Sequence, residues 1–159
     1  MSAQNITPFL WFDTNAEEAV NFYLSIFPNS SLGKTTRWGK GGPGPEGSLM
    51  TAGFTLNGMD FAAINGGPHF KFTEAVSFVI NCETQEDIDH YWDKLSAGGT
   101  VQQCGWLKDK FGLSWQVVPP VLSKLLADKD AEKSQRVLQA MMKMIKIDIK
   151  TLQDAYDGA

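Results

Sequence analysis

Cys104–Pro120, CGWLKDKFGLSWQVVPP, is the stretch from which the fold can be read. It holds two of the chain's five tryptophans, a turn built on Asp109 to Gly112, and a run from Leu113 to Pro119 that reads as a buried strand stopped by two prolines. Asp109 and Lys110 are expected to shape a solvated turn. A strand of this kind needs partners, and the segments upstream supply them twice over.

Ile6 to Phe12 is an apolar run that reads as a first strand. Thr14 and Glu17 stand in the T-x-x-E spacing of a capping box, so a helix is expected to begin there, with Ala19, Phe22, Tyr23 and Ile26 as its apolar face and Pro28-Asn29 as its end. Ser31 to Trp38 is a second strand, closed by the mobile-looking loop Gly39 to Gly47. Ser48 to Leu56 and Met59 to Ile64 flank Asn57-Gly58, the strongest short signal for a hairpin because both turn positions tolerate positive φ. After turn material from Asn65 to Phe72, the order begins again. Ala75 to Cys82 is a strand, and Thr84 to Ala97 a helix whose apolar Ile88, Tyr91, Trp92 and Leu95 repeat Ala19, Phe22, Tyr23 and Ile26 at one constant offset. Thr100 to Cys104, Gly105 to Lys108 and Leu113 to Pro119 are shorter strands, and Gly112 to Gln116 has the spacing of Gly58 to Ala62, with Trp115 answering Phe61. One βαβββ unit exposes a sheet face that a second can cover or extend, so an internal repeat explains the pattern economically.

The expected class is therefore α+β, with two βαβββ modules (about residues 5–66 and 73–119) forming a cupped mixed sheet within 1–120. A helical appendage at 121–159 completes it. Its helices are expected at Val121 to Ala127, Asp130 to about Lys146 and Asp148 to Tyr156, with an apolar stripe of Val137, Leu138, Met141, Met142 and Ile145.

Composition narrows the function classes. The 159 residues are 43% hydrophobic and 20% charged, ordinary globular usage. No apolar run reaches the ~18 residues of a membrane span, and the first residues lack the basic segment of a signal peptide, so a cytoplasmic, non-membrane protein is expected. A net charge of −4 without a basic stripe argues against nucleic acid as a partner. Cys82 and Cys104 stand in no metal or redox spacing and read as small buried hydrophobes. Gly33-Lys34-Thr35 mimics the end of a phosphate loop, but Pro28 occupies the place of its first glycine and the segment runs from helix to strand.

The segments TPFLWFDTNAEEAVNFYLSIFP, EAVSFVINCETQEDIDHYWDKLSAGG and CGWLKDKFGLSWQVVP, with KMIKIDIKTL in the tail, resemble the PhnB-like group of the vicinal oxygen chelate superfamily, which contains glyoxalase I and extradiol dioxygenases. The resemblance implies a site on a concave sheet face. In metal-using members four side chains there hold a divalent ion, at places that fall on Thr7, Ala62, Ser77 and Gln116. Of these only Gln116 is a residue type such sites use, so no superfamily-type metal site and no cofactor is expected. Some members of the group bear the label 3-demethylubiquinone-9 3-methyltransferase. A methyl-donor site of the usual kind would need a glycine-rich strand-to-helix turn that this chain lacks.

Strand alternation places Thr7, Phe9 and Trp11 on one face, and Ser114, Gln116 and Val118 on another. With the superfamily geometry, Phe9 and Trp11 would line the cup beside Gln116, and Arg37 and Trp38 could close over it from the loop. The expected ligand is a small apolar or aromatic molecule bound by a homodimer. The competing expectation is a lyase, isomerase or transferase on the same cup, with Asp60 as acid or base. His69 reads as a loop histidine at the edge of the cleft, and Trp115 as a structural ring facing the helix.

Overall fold

The computed structural model of the chain describes residues 4–159 and divides into two compact units, Met1–Phe72 and Thr73–Ala159. The first contains β1 (Phe9–Phe12), α1 (Ala16–Ile26), β2 (Ser31–Arg37), β3 (Leu49–Leu56) and β4 (Met59–Asn65). The second contains β5 (Ser77–Asn81), α2 (Gln85–Ser96), β6 (Thr100–Val101), β7 (Trp106–Lys108) and β8 (Ser114–Val118), followed by α3 (Pro120–Leu126), α4 (Ala131–Met142) and α5 (Ile149–Asp157). Sheet orders are β1-β4-β3-β2 and β5-β8-β7-β6, and in each the first strand runs parallel to the last while the other pairs are antiparallel. The expected βαβββ repeat is present in both units, with three helices after it.

Alternation along the strands sorts the side chains by face. In the first unit Leu10, Phe12, Ala52, Phe54, Phe61 and Ala63 are buried, as are Ala19, Val20, Tyr23 and Ile26 of α1. Phe54 and Phe61 stack at 5.4 Å across the hairpin that Asn57 (φ 48°) and Gly58 (φ 81°) close. In the second unit Ile80, Leu107, Trp115 and Val117 are buried with Ile88, Tyr91, Trp92 and Leu95 of α2. Each such large side chain contributes about 1.5–3 kcal/mol of burial. α1 contacts β3 and β4 and α2 contacts β7 and β8, and alternate side chains point to the other face of each sheet. Phe9 (60% exposed) and Val79 (51% exposed) sit there at equivalent places, opposite Ala62 and Gln116 respectively.

Several local expectations are corrected. β1 begins at Phe9 rather than Ile6, leaving Thr7 in exposed chain ahead of the strand. Pro8 has no N–H to give a ladder, although its carbonyl accepts from Ala62 N at 2.9 Å. The Thr14–Glu17 capping box does not form. Asn15 is the N-cap without a side-chain bond, and Glu17 pairs instead with Arg37 at 2.9 Å. The second module has the box that the first lacks: Thr84 accepts from Asp87 N, and Asp87 accepts from Thr84 N. The strand expected over Thr100 to Cys104 shortens to two residues, because Gln102 N bonds Trp106 O and Cys104 turns to φ 60°. Cys82 is buried as expected and burial, with Asp87 nearby, pushes its thiol up to about 12, but Cys104 is only half-buried. α4 stops at Met142 rather than near Lys146, leaving Met142 and Ile145 more than half exposed. The chain beyond it is tied down by Cys104 N to Met144 O, Gly105 N to Ile145 O and the Gln85 amide, which bonds Ile147 O and Ile149 N.

The largest correction concerns Asp109, which is buried at 3% exposure rather than solvated. Its Oδ1 accepts from Phe111 N (2.9 Å) and Leu113 N (3.1 Å), and its Oδ2 accepts from Trp115 Nε1 (2.9 Å). The carboxylate thus sets the β7–β8 turn and orients Trp115 into the core. Asp109→Ala would remove the acceptor of three donors, two of them buried, and we expect a loss of about 3 kcal/mol or more in urea denaturation. In the same assay Thr84→Ala should cost about 1 kcal/mol, as the loss of a working cap does. Thr14→Ala, which removes no cap, should cost less than about 0.5 kcal/mol.

Candidate functional site

The first unit contains a cavity of about 610 Å³ at the end of its sheet where β1 and β4 finish. That size falls within the roughly 300–1,000 Å³ of small-molecule sites. Its walls include Trp11, Trp38, Pro43, Pro45 and Ile64, with Asp13, Thr14, Ser48, Asn65 and His69 as polar members.

Both indoles are held from behind by glycine. Trp11 Nε1 donates to Gly67 O at 2.9 Å, its ring meets Phe70 edge-on at 5.0 Å, and a Cβ added at Gly66 would stand 2.2 Å from it. Only glycine lets the backbone lie so close to the ring. Trp38 is seated in the same manner by its own loop. Its N–H donates to Ser48 O and its carbonyl accepts from Gly47 N, while a Cβ on Gly44 would stand 2.3 Å from its ring. The glycines and prolines of Gly39 to Gly47 therefore wrap one aromatic ring. Asn65 joins the pieces: its Oδ1 accepts from Ala16 N (2.8 Å) and its Nδ2 donates to Leu49 O (3.0 Å). The turn that follows is fixed by Gly66 N to Phe12 O and Gly67 N to Asp13 O.

Of the residues singled out from sequence, Trp11, Trp38 and His69 share this cavity. Arg37 lies beside a smaller one of about 80 Å³ with Val20, Leu32 and Thr35, and its guanidinium donates to Glu17 and to Gly47 O. Phe9 and Ala62 are register partners on the sheet face away from α1. Asp60 sits at the start of β4, accepting from Thr55 Oγ1 at 2.8 Å. It is four residues from Ile64 at the cavity, about 13 Å along the strand. In the second unit Gln116 Nε2 donates to Ser77 Oγ at 2.9 Å, so these two positions form one polar pair. Sequence reading passed over Asp13, Thr14, Ser48 and Asn65. The signal for them was positional: polar residues directly after β1 and at the ends of β3 and β4, next to glycine turns.

The donor set at Thr7, Ala62, Ser77 and Gln116 does not fit a divalent ion. Alanine has no donor atom, the hydroxyls are neutral and weak, and Ser77 already accepts from Gln116. Among the described residues no three of His, Cys, Asp and Glu gather as a possible metal site, and no helix is long and apolar enough to cross a membrane.

Comparison with known proteins places the chain. The family profile described as 3-demethylubiquinone-9 3-methyltransferase matches residues 4–118. A solved PhnB protein from Bacillus cereus is 41% identical, with a TM-score of 0.69 over 73% of this chain and 99% of that one. The fosfomycin resistance protein FosX from Listeria monocytogenes, 16% identical, shares the fold with a TM-score of 0.55 over 80% of this chain and all of its own. An uncharacterized protein of Mycobacterium bovis is 28% identical over 134 residues, 73% of this chain and 83% of its own length.

The glycine behind Trp11 is testable. In protein labelled with 5-fluorotryptophan, Gly66→Ala should shift and broaden the Trp11 fluorine resonance, assigned by Trp11→Phe, and leave that of Trp115 in place. An unmoved Trp11 signal would show that the ring does not rest on Gly66.

Proposed function

Because the chain belongs to the 3-demethylubiquinone-9 3-methyltransferase family, in its PhnB-like branch of the glyoxalase superfamily, we propose that it uses this inherited scaffold to bind a small, flat, mostly apolar molecule between Trp11 and Trp38. The observation that carries the reading is the pair of indoles held in one cavity of about 610 Å³ by glycine-rich backbone. Rings fixed before a ligand arrives lose little freedom on binding, and an offset aromatic pair adds about 0.5–1.5 kcal/mol beyond the area it buries. Thr14 and Ser48 bring hydroxyls to the wall; that of Ser48 donates to Pro45 O and keeps its acceptor side for one polar edge of the ligand.

Binding is favoured over the methyl transfer in the family's description by the strand-to-helix junctions. β1 passes to α1 through Asp13, Thr14 and Asn15, and β5 to α2 through Cys82, Glu83 and Thr84. Neither offers the glycine turn at a helix start that seats a nucleotide-type cofactor. The Gln116–Ser77 pair on the second sheet is a separate polar feature to which no role in this cavity is given.

Isothermal titration calorimetry with 2-naphthalenemethanol tests the proposal. Saturable binding with one site per chain is expected, weakened about tenfold by Trp38→Ala and less by Trp38→Phe, which keeps an aromatic face. Asp60→Asn, remote from the cavity, should leave the affinity within about twofold. Absence of saturable heat, or indifference to Trp38→Ala, would sink the proposal.

A further inference from the structure

We infer that the Trp11–Trp38 cavity selects an organic cation, an ammonium group carried on a flat apolar body, with Asp13 as its counter-ion. This rests on the preceding reading of the cavity as a ligand site and adds the charge of what it takes.

Three observations point this way. The first is the chemistry of the walls. Trp11 Nε1–H is engaged by Gly67 O, so that indole has no donor left to offer and presents π surface. Trp38 is the second indole in the wall. Aromatic faces carry the negative part of the ring quadrupole and attract ammonium groups, tryptophan most strongly.

The second observation is Asp13, which follows β1 directly and lines the cavity. Asp13 is exposed; its backbone carbonyl is fixed by Gly67 N at 3.1 Å, and its hydrated carboxylate makes no hydrogen bond or ion pair among the described residues. The third is the lack of a competing cation in the walls. Arg37, the basic residue next to Trp38, is paired with Glu17 and bonded to Gly47 O, and among the described residues no lysine or arginine lines the cavity.

Two groups oppose the inference in sign. The N-terminus of α1 lies just beyond Asp13 and carries partial positive charge. Its first N–H is occupied by Asn65 Oδ1, and Glu18 in its first turn offsets part of the remainder, Glu17 being paired with Arg37. His69 lines the cavity with an imidazole of its own, so the comparison is repeated in His69→Gln, which takes the ring out of the wall.

The experiment compares three probes on one naphthalene body by calorimetry at pH 8 and low salt: (2-naphthylmethyl)trimethylammonium, 2-naphthalenemethanol and 2-naphthoate. The expected order is cation, alcohol, anion, with the cation at least about tenfold tighter than the alcohol. In Asp13→Asn this ratio should fall to about twofold, while Asp13→Glu, which restores the charge, should keep most of it. Raising the salt to 0.5 M should also shrink the ratio, since a rim carboxylate is screened. Equal binding of cation and alcohol, tighter binding of the anion, or a ratio unmoved by Asp13→Asn would overturn the inference while leaving the cavity as a site. Failure of all three probes to bind would overturn the parent reading and this inference with it.

Discussion

The side-chain amide of Asn65 fixes the end of the first module on which the cavity depends. Ala16 N and Leu49 O are groups that secondary structure leaves over, one at the start of α1 and one at the start of β3. A single side chain at the end of β4 satisfies both, and in doing so sets where the helix begins relative to the sheet. The backbone then turns through Gly66 and Gly67 onto Phe12 O and Asp13 O, and this turn is what Trp11 rests against. The position of the indole and the orientation of the residues after β1 follow from one amide and two glycines.

The two modules show how one scaffold diverges. Strand register makes Ile64 the counterpart of Val118 and Trp11 that of Asn81, since Ile64 pairs with Trp11 and Val118 with Asn81. One residue further on, Asn65 is answered by Pro119, which has no amide to share. The second module instead starts its helix with the Thr84–Asp87 capping box and has no long glycine-proline loop. Among the described residues its buried polar side chains are Asp109 and Ser114, and Asp109 holds Trp115. In the first module the aromatic residues at the strand ends face a cavity, and in the second the comparable effort goes into the core.

The repeat was legible because helix periodicity and strand alternation are local. Ala19, Tyr23 and Ile26, and Ile88, Tyr91, Trp92 and Leu95, are buried where the spacing places them, and Phe22 is half-buried. The Asn57-Gly58 hairpin and the inward-facing Trp115 were readable for the same reason. What failed were choices between equally local alternatives that distant partners decide. Thr14–Glu17 has the spacing of a cap, but Asn65, far along the chain, takes the N–H and Arg37 takes the carboxylate. Asp109 and Lys110 look like a surface turn until Trp115 is folded beneath them. At the site, the aromatic character of Trp11 and Trp38 was visible and their shared cavity was not, because it depends on the loop between β2 and β3 folding back on Trp38. Asp13 read only as part of a helix start.

On this proposal a ligand sits between Trp11 and Trp38. A crystal structure of the protein grown with (2-naphthylmethyl)trimethylammonium tests this most directly. It should show the naphthalene in the first module against the indoles of Trp11 and Trp38, with the ammonium beside the Asp13 carboxylate. Density on the sheet face around Phe9, or at the Gln116–Ser77 pair with the tryptophan cavity empty, would contradict it.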